Sequence, residues 1–300
     1  MSKPIEITKE MMIEATPIRP EDGHKGTFGR LLIVAGSKYM TGAAALCVKS
    51  ALSSGVGIVQ LYAPEEALFP TKVLCPCALT MAYPDDEIKA VSVLMALMRS
   101  ATCVAIGPGL DPDDSRNSLL IECAIKNSPH LVIDASALNI IARNKVFYEK
   151  LLKNRKNDLL ENAIITPHLG EFSRLIGQRN FHTEASEEKQ IKECVQYARD
   201  IGVVTVLKTH KTIISNVGRK CYINTIGNNG MGKGGSGDVL TGLIGGLSAQ
   251  GLPAERASVC GVYIHALSGD KAADKFGRRA MTPENIIECL PDAFAEIGWN

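Results

Sequence analysis

The chain is short of aromatic residues, of net charge and of long apolar runs. Aromatics make up 5% of its 300 residues, with one Trp, and the formal charge is +1. A surface for single-stranded nucleic acid needs aromatic platforms beside a basic groove. Here the basic residues are dispersed, so no nucleic-acid partner is expected. No apolar run reaches the length of a membrane-spanning helix, and Met1–Arg19 is polar and mixed in charge rather than a signal sequence. A cytoplasmic protein with no membrane partner is expected. The nine cysteines are an odd number scattered through apolar segments, a pattern of packed, reduced thiols rather than a disulfide framework. Cys75-Pro76-Cys77 has the wrong spacing for a redox or zinc pair, and no cluster of ligands identifies a metal site. Three motifs are also missing. Gly232-Lys233-Gly234 is not the Gly-Lys-Ser/Thr of a P-loop, no GxGxxG follows the first strand candidate, and Ser236 is not in a nucleophile elbow.

What the chain has is a glycine-rich stretch, GNNGMGKGGSGDVLTG from Gly227 to Gly242, running into an apolar helical segment. Glycines let a ligand approach the main chain, and free N–H groups at a helix N-terminus form an anion site. Asp238 would repel a phosphate merely bound there. Its place fits a base beside a group that is being phosphorylated.

Short apolar runs alternate with helix-period segments, the pattern of a parallel sheet with crossover helices. Strands are expected at Arg30–Ala35, Ile58–Tyr62, Leu74–Thr80, Cys103–Ile106, Leu131–Ile133, Ile164-Ile165 and Val203–Leu207. Thr212–Ser215 and Lys220–Asn224, around Asn216-Val217-Gly218-Arg219, read as an antiparallel hairpin at one sheet edge. Helices are expected over Gly42–Ser54, Val239–Ala249 and Ala254–Ala273, with a last one from Thr282-Pro283 to about Ala295. No repeat or linker interrupts the chain, so residues 1–300 read as a single domain. Ligands of open α/β sheets bind beyond the carboxyl ends of the strands. Several expected strands end there in polar or glycine-rich loops: Gly107-Pro108-Gly109, Asp134-Ala135-Ser136, Thr166-Pro167-His168 and Lys208–Thr212.

Among the six histidines, His168 is placed to face such a crevice, while Glu171 reads as a cap of the following helix. His265, in a helical segment, reads as packed. His24 and Lys25 either reach an anion or are solvated loop residues. Lys208–Thr212 offers two cations and two hydroxyls for phosphate or ribose, or is a charged turn.

HKGTFGRLLIVAGS (24–37), TGAAALCVKSALSSGVGIVQLYAP (41–64), IGPGL (106–110), ITPHLGEFSRLIG (165–177), NNGMGKGGSGDVLTGLIGGLSAQG (228–251) and YIHALSGDKAADKFG (263–277) occur in this order. The combination resembles the NAD(P)H-hydrate dehydratase family, within the ribokinase-like superfamily, over nearly the whole chain. GGSGD alone marks only the superfamily; HKGxxG and TPHxGE mark the dehydratase branch.

The resemblance implies a three-layer α/β/α fold with a mostly parallel central sheet and an antiparallel edge hairpin. It implies a lyase that uses ADP or ATP, with Mg²⁺, to restore hydrated NADH or NADPH. By position, Asp238 would be the catalytic base and contact the hydrate, and Ala43, Gly109 and His168 would bind the hydrate as well. Gly237 and Lys208, Thr209, His210, Lys211 and Thr212 would bind the nucleotide. Thr209 replaces a usual glycine, Asn229 stands where proline is common, and Lys233 where a small or hydroxyl residue is common. Ser136 interrupts a frequent D-A-D-A-L, and that loop is given no catalytic role. A homotetramer is implied, with the N-terminal epimerase domain of many relatives absent and any epimerase a separate chain. The alternatives are a small-molecule hydroxyl kinase of the hydroxyethylthiazole or pyridoxal kinase type, and a nucleotide-sensing binding protein.

Overall fold

A computed structural model describes residues 3–155, 160–218 and 220–299 of the chain. The strands are β1 (Ile5–Glu6), β2 (Arg30–Val34), β3 (Ile58–Ala63), β4 (Leu79–Ala82) and β5 (Cys103–Ile106), followed by β6 (His130–Ile133), β7 (Ile164–Ile165), β8 (Val204–Leu207), β9 (Ile213–Ser215) and β10 (Cys221–Ile223). Among the described residues they form one ten-stranded sheet in the order β4-β3-β2-β5-β6-β7-β8-β9-β10-β1. Neighbours from β4 to β8 are parallel, and β9 is antiparallel to both β8 and β10.

The strands are apolar at nearly every position because helices cover both faces. Alternate residues feed two cores. Leu31, Ile33, Cys103 and Ala105 pack with the helices Thr41–Ser53, Ser236–Ala249 and Ala254–Phe276. Leu32, Val34, Val104 and Ile106 pack with the helices Glu87–Met98, Ser115–Asn127 and Leu169–Ile176. The result is three layers, α/β/α.

Chain order reverses between β2 and β5. From β2 the chain steps outward to β3 and β4, then returns to place β5 on the other side of β2. The connections after β2 and β5 therefore lead to helices on opposite faces of the sheet, and the crevice where ligands of such sheets bind lies at the carboxyl ends of these two strands. The helix Ser236–Ala249 starts at that end of the sheet and runs to the other, roughly 21 Å at 1.5 Å per residue. Glycines let it lie close to its neighbours. A Cβ at Gly242 would fall 2.1 Å from the Cys47 carbonyl oxygen, and one at Gly246 would fall 1.9 Å from Ser54 Oγ.

Several expectations are corrected. Leu74 ends a helix, Glu65–Leu74, and the strand starts only at Leu79. The alternating apolar run begins inside a helix whose exposed face carries Phe69, Val73 and Leu74. The last helix is two, Pro283–Glu288 and Leu290–Glu296; Pro291 has no N–H to continue the first and opens the second. Thr282 does precede the first, its N–H donating to Asn285 Oδ1 at 2.9 Å. The hairpin is part of a three-strand meander and is not outermost, because β1 pairs in parallel with β10. Arg219, in its turn, lies outside the described residues. β1 is two residues long, too short for any periodic signal.

The packing predicts opposite outcomes for two glycines. Gly242→Val should cost about 2 kcal/mol or more through backbone displacement. Gly42→Ala, at a helical position with nothing within 4 Å of the added carbon, should stabilise by about 0.5 kcal/mol. Urea unfolding of both variants measures this.

Candidate active site

The helix Ser236–Ala249 begins three residues earlier than its apolar run, so Asp238 lies in its first turn. Gly235 reaches φ +99° at the N-cap, a left-handed angle that favours glycine. The N–H groups of Gly237 and Asp238 have no carbonyl four residues back within the helix. The loop before them is pinned at both ends. Asp270 accepts from the Gly227 N–H and from Asn228 Nδ2, each at 2.9 Å. Lys233 Nζ donates to the carbonyls of Arg279 and Met281 at 2.8 and 2.5 Å. Lys233, although exposed, is tied to these two carbonyls and anchors the loop. His265 packs behind it, buried, and is held well below the usual histidine range, at about 4, by desolvation against a hydrogen bond to the Ser236 backbone.

The ends of β6 and β8 meet this loop. Lys208, just past β8, puts its ammonium 2.8 Å from Asp134 Oδ1, just past β6. Thr241 Oγ1 donates to the other carboxylate oxygen at 2.7 Å. A Cβ built on Gly237 would sit 3.2 Å from Lys208 Nζ and 3.8 Å from Asp134 Oδ2, so the ion pair lies against the anion loop. Lys208 and His168 form a parallel bridge beyond β7 and β8. On the other side, Ala43 and Gly109 face each other across the β2/β5 crevice: a Cβ on Gly109 would lie 2.8 Å from that of Ala43. The Gly36 N–H donates to the Pro108 carbonyl at 2.7 Å, and a Cβ on Gly235 would meet Leu46 at 2.6 Å. Crevice and anion loop therefore share the helix Thr41–Ser53.

His168 caps the helix Leu169–Ile176. Its Nδ1 accepts the N–H groups of Gly170 and Glu171 at 2.9 and 3.4 Å, and Glu171 Oε2 accepts the His168 N–H at 2.9 Å. An Nδ1 that accepts leaves the proton of the neutral ring on Nε2, 3.4 Å from Glu171 Oε1. Desolvation, helped by Lys208 and Arg174, lowers the His168 pKa and favours that neutral form. The side chain is 54% exposed, so Nε2–H is open to a ligand. Burial pushes the Glu171 carboxyl up, Lys208 opposes and Asp134 adds to it. Glu171 has the capping role expected of it.

Asp238 is raised from the usual 3.8 to about 7, first by burial and then by Asp134, with Lys208 opposing and Glu171 adding. A helix N-terminus favours a carboxylate by only about 0.3–1 kcal/mol, whereas burial shifts pKa by several units. Burial wins, and the Asp238 carboxyl is raised close to neutrality.

Sequence reasoning placed the loops of Gly109, Asp134, His168 and Lys208 at the carboxyl ends of the strands and Gly237 and Asp238 in the anion loop, with Ala43 added by the family resemblance; the structure places all of them at that end of the sheet. The rest of the Lys208–Thr212 segment forms the β8–β9 turn: Thr209 Oγ1 donates to the Lys211 carbonyl at 2.7 Å, Lys211 Nζ meets Glu187 at 3.2 Å, and His210 is exposed. His24 and Lys25 precede β2, at the opposite end of the sheet, where His24 Nδ1 accepts the Gly26 N–H at 3.0 Å. They do not join this cluster. Asp134 and Thr241 were missed as site residues; the available signal was an aspartate directly after a wholly apolar strand. Among the described residues no three His, Cys, Asp or Glu side chains are grouped to hold a metal ion, and both Asp134 oxygens are engaged.

These features define a ribokinase-like α/β protein. The profile of the NAD(P)H-hydrate dehydratase family matches residues 31–292, and the chain belongs to that family. It is 36% identical over 281 residues to the bifunctional NAD(P)H-hydrate repair enzyme of Moorella thermoacetica, covering 92% of this chain and 51% of that protein. The chain spans about half the length of the bifunctional relatives it matches. With the ADP-dependent (S)-NAD(P)H-hydrate dehydratase of Lactococcus lactis it shares 33% identity over 293 residues, 96% of this chain and 97% of the other. The crystal structure of the ADP/ATP-dependent NAD(P)H-hydrate dehydratase of Bacillus subtilis, co-crystallised with ATP and Mg²⁺, has a TM-score of 0.82 at 25% identity. It covers 99% of this chain and 100% of that one.

The raised Asp238 carboxyl has a consequence for stability. A pKa higher in the folded than in the unfolded chain contributes stability below the unfolded value of about 4, lost as pH rises through about 7. Asp238→Asn should therefore be more stable than the parent at pH 8, by about 1–3 kcal/mol. The difference should fade between about pH 7 and pH 4, as followed by thermal melts across that range.

Proposed function

We propose that the protein repairs nicotinamide cofactors. It dehydrates the S form of NADH or NADPH hydrate at the expense of ADP or ATP, releasing AMP or ADP and phosphate. The observation that carries this reading is Asp238, a base near pH 7 in the first turn of the anion helix, in a chain of the dehydratase family. Asp238 takes the proton of the ring hydroxyl while that oxygen attacks the terminal phosphorus of the nucleotide. The bond to the leaving nucleotide breaks, and the Gly237 and Asp238 N–H groups with Lys208 stabilise the charge on the phosphoryl oxygens. Phosphate, a far better leaving group than hydroxide, then departs from the ring carbon. Loss of a proton from the adjacent carbon restores the dihydronicotinamide.

The hydrate is assigned to Ala43 and Gly109 beside the β2/β5 switch point and to His168, which lies next to Lys208 past β7 and offers its Nε2–H as a donor. The nucleotide is assigned to Lys208–Thr212 and Gly237. Mg²⁺ accompanies ATP in the Bacillus relative; among the described residues no three His, Cys, Asp or Glu side chains form a ligand cage for it. The resemblance supports residues 1–300 acting as one domain in the cytoplasm, as a homotetramer. Phe69, Val73 and Leu74, exposed beside edge strand β4, supply apolar surface for such assembly.

Incubating hydrated NADH with ADP or ATP tests the activity. Return of dihydronicotinamide absorbance with one phosphate released per turnover is expected. A persisting phosphoester without recovery would show a hydroxyl kinase instead. Asp238→Asn should lower turnover about 10²–10⁴-fold while still binding dinucleotide. His168→Ala should raise KM for the hydrate about tenfold with KM for ADP little changed; equal loss of both would indicate damage to the cap it also provides.

A further inference from the structure

The buried pair between β6 and β8 has features that a mere structural tie does not require. Asp134 is 1% exposed, and each of its oxygens accepts one hydrogen bond, from Lys208 Nζ at 2.8 Å and from Thr241 Oγ1 at 2.7 Å. Thr241 is fully buried one turn along the anion helix, so its hydroxyl fixes the rotamer of the carboxylate. The backbone around Asp134 is equally constrained. A Cβ on Gly107 would fall 1.9 Å from the Asp134 carbonyl oxygen. The next residue, Ala135, holds φ +50° and ψ −121°, the one positive φ of a non-glycine among the described residues. Such a conformation costs about 1–3 kcal/mol and persists only where the surroundings enforce it. Lys208 is held from its own side, its N–H donating to the Pro167 carbonyl at 2.8 Å.

For stability alone, an apolar pair would serve as well or better, because burying two charges costs desolvation. The ammonium nevertheless has hydrogen-bonding capacity beyond the pair. The Lys208 side chain is 21% exposed, its nitrogen lies over Gly237 where the first-turn N–H groups emerge, and only one of its three N–H groups is taken by Asp134.

We infer that Asp134 is a positioning residue that presents the Lys208 ammonium to the terminal phosphate of the donor nucleotide, above Gly237, rather than to its nucleoside end. This rests on the reading of the site as a phosphoryl-transfer centre given above. Lys208 then completes a cradle whose other donors are the loop amides, and Thr209–Thr212 are left for the rest of the nucleotide. The pair also sets the charge around Asp238. The groups facing that carboxylate are Asp134 and Lys208 from the sheet, Glu171 from the helix Leu169–Ile176 and Cys47 from the helix Thr41–Ser53. His265, from the helix behind the loop, is neutral near pH 7. Removing the negative charge at Asp134 lowers the Asp238 pKa; removing the positive charge at Lys208 raises it.

Calorimetric titration of parent, Asp134→Asn, Lys208→Met and the double variant with ADP and with AMP tests the placement. Lys208→Met should weaken ADP about tenfold and AMP by less than about twofold. Asp134→Asn should weaken ADP about threefold or more, and the double variant should be no worse than Lys208→Met, as expected of one unit. In the hydrate assay, the acid limb of kcat should move down by about half a pH unit or more in Asp134→Asn and up by a similar amount in Lys208→Met. The double variant, with no unpaired buried charge, serves if Asp134→Asn fails to fold: additive loss relative to Lys208→Met would count against the pair. Equal weakening of AMP and ADP in Lys208→Met would overturn the inference, as would parent-like ADP binding in Asp134→Asn. A parent that binds ADP but restores no dihydronicotinamide sinks the dehydratase reading and leaves the ADP-against-AMP comparison to decide the pair. A parent that binds no ADP overturns both.

Discussion

The site depends on how closely the helix Ser236–Ala249 approaches the helix Thr41–Ser53. At Gly242 and Gly246 the two backbones come so near that a single methyl would overlap a carbonyl oxygen or a serine hydroxyl. That contact sets where the anion helix begins relative to the sheet. It brings Gly235–Asp238 over the carboxyl ends of β6 and β8, beside the crevice opened where strand order reverses between β2 and β5. A larger residue at either glycine would push the helix start away from Lys208 and Asp134 before altering any polar group.

Once the helix is seated, electrostatics decide what it can do. Asp134, Glu171 and Asp238 are gathered around one Lys208 ammonium. Three carboxylates cannot all be ionised cheaply in such a place. Burial works against the lysine charge, yet Asp134 and Glu171 outweigh it and hold its pKa above the usual value. Asp134 accepts from two donors, Lys208 Nζ and Thr241 Oγ1. Asp238 carries the cost as a raised pKa, and that cost is what makes it useful as a base. The same physics explains Glu171, a capping residue whose charge also bears on the site.

Much of this architecture was legible beforehand, for identifiable reasons. β2, β5, β6 and β8 are mostly apolar because both faces are covered, and such runs are readable without partners. The loops at Gly109, His168 and Lys208 stood out because polar or glycine-rich segments directly followed those runs. The errors came where local pattern and tertiary context disagree. Leu74 looked like a strand residue because helix Glu65–Leu74 exposes apolar side chains. β1 is held only by its pairing with β10. The role of Lys233 was not legible in the sequence, because the carbonyls of residues 279 and 281 that hold it are distant in the chain.

By itself, the sequence determined the α/β class, the anion loop with its carboxylate, and the family, because these reside in short contiguous patterns. Only the tertiary structure decided which charges meet. Asp134 and Lys208 are 74 residues apart in the chain and 2.8 Å apart in space, and no local pattern encodes that distance. The raised pKa of Asp238 likewise belongs to no residue alone, since it arises from burial and from neighbours supplied by two other strand ends and a helix.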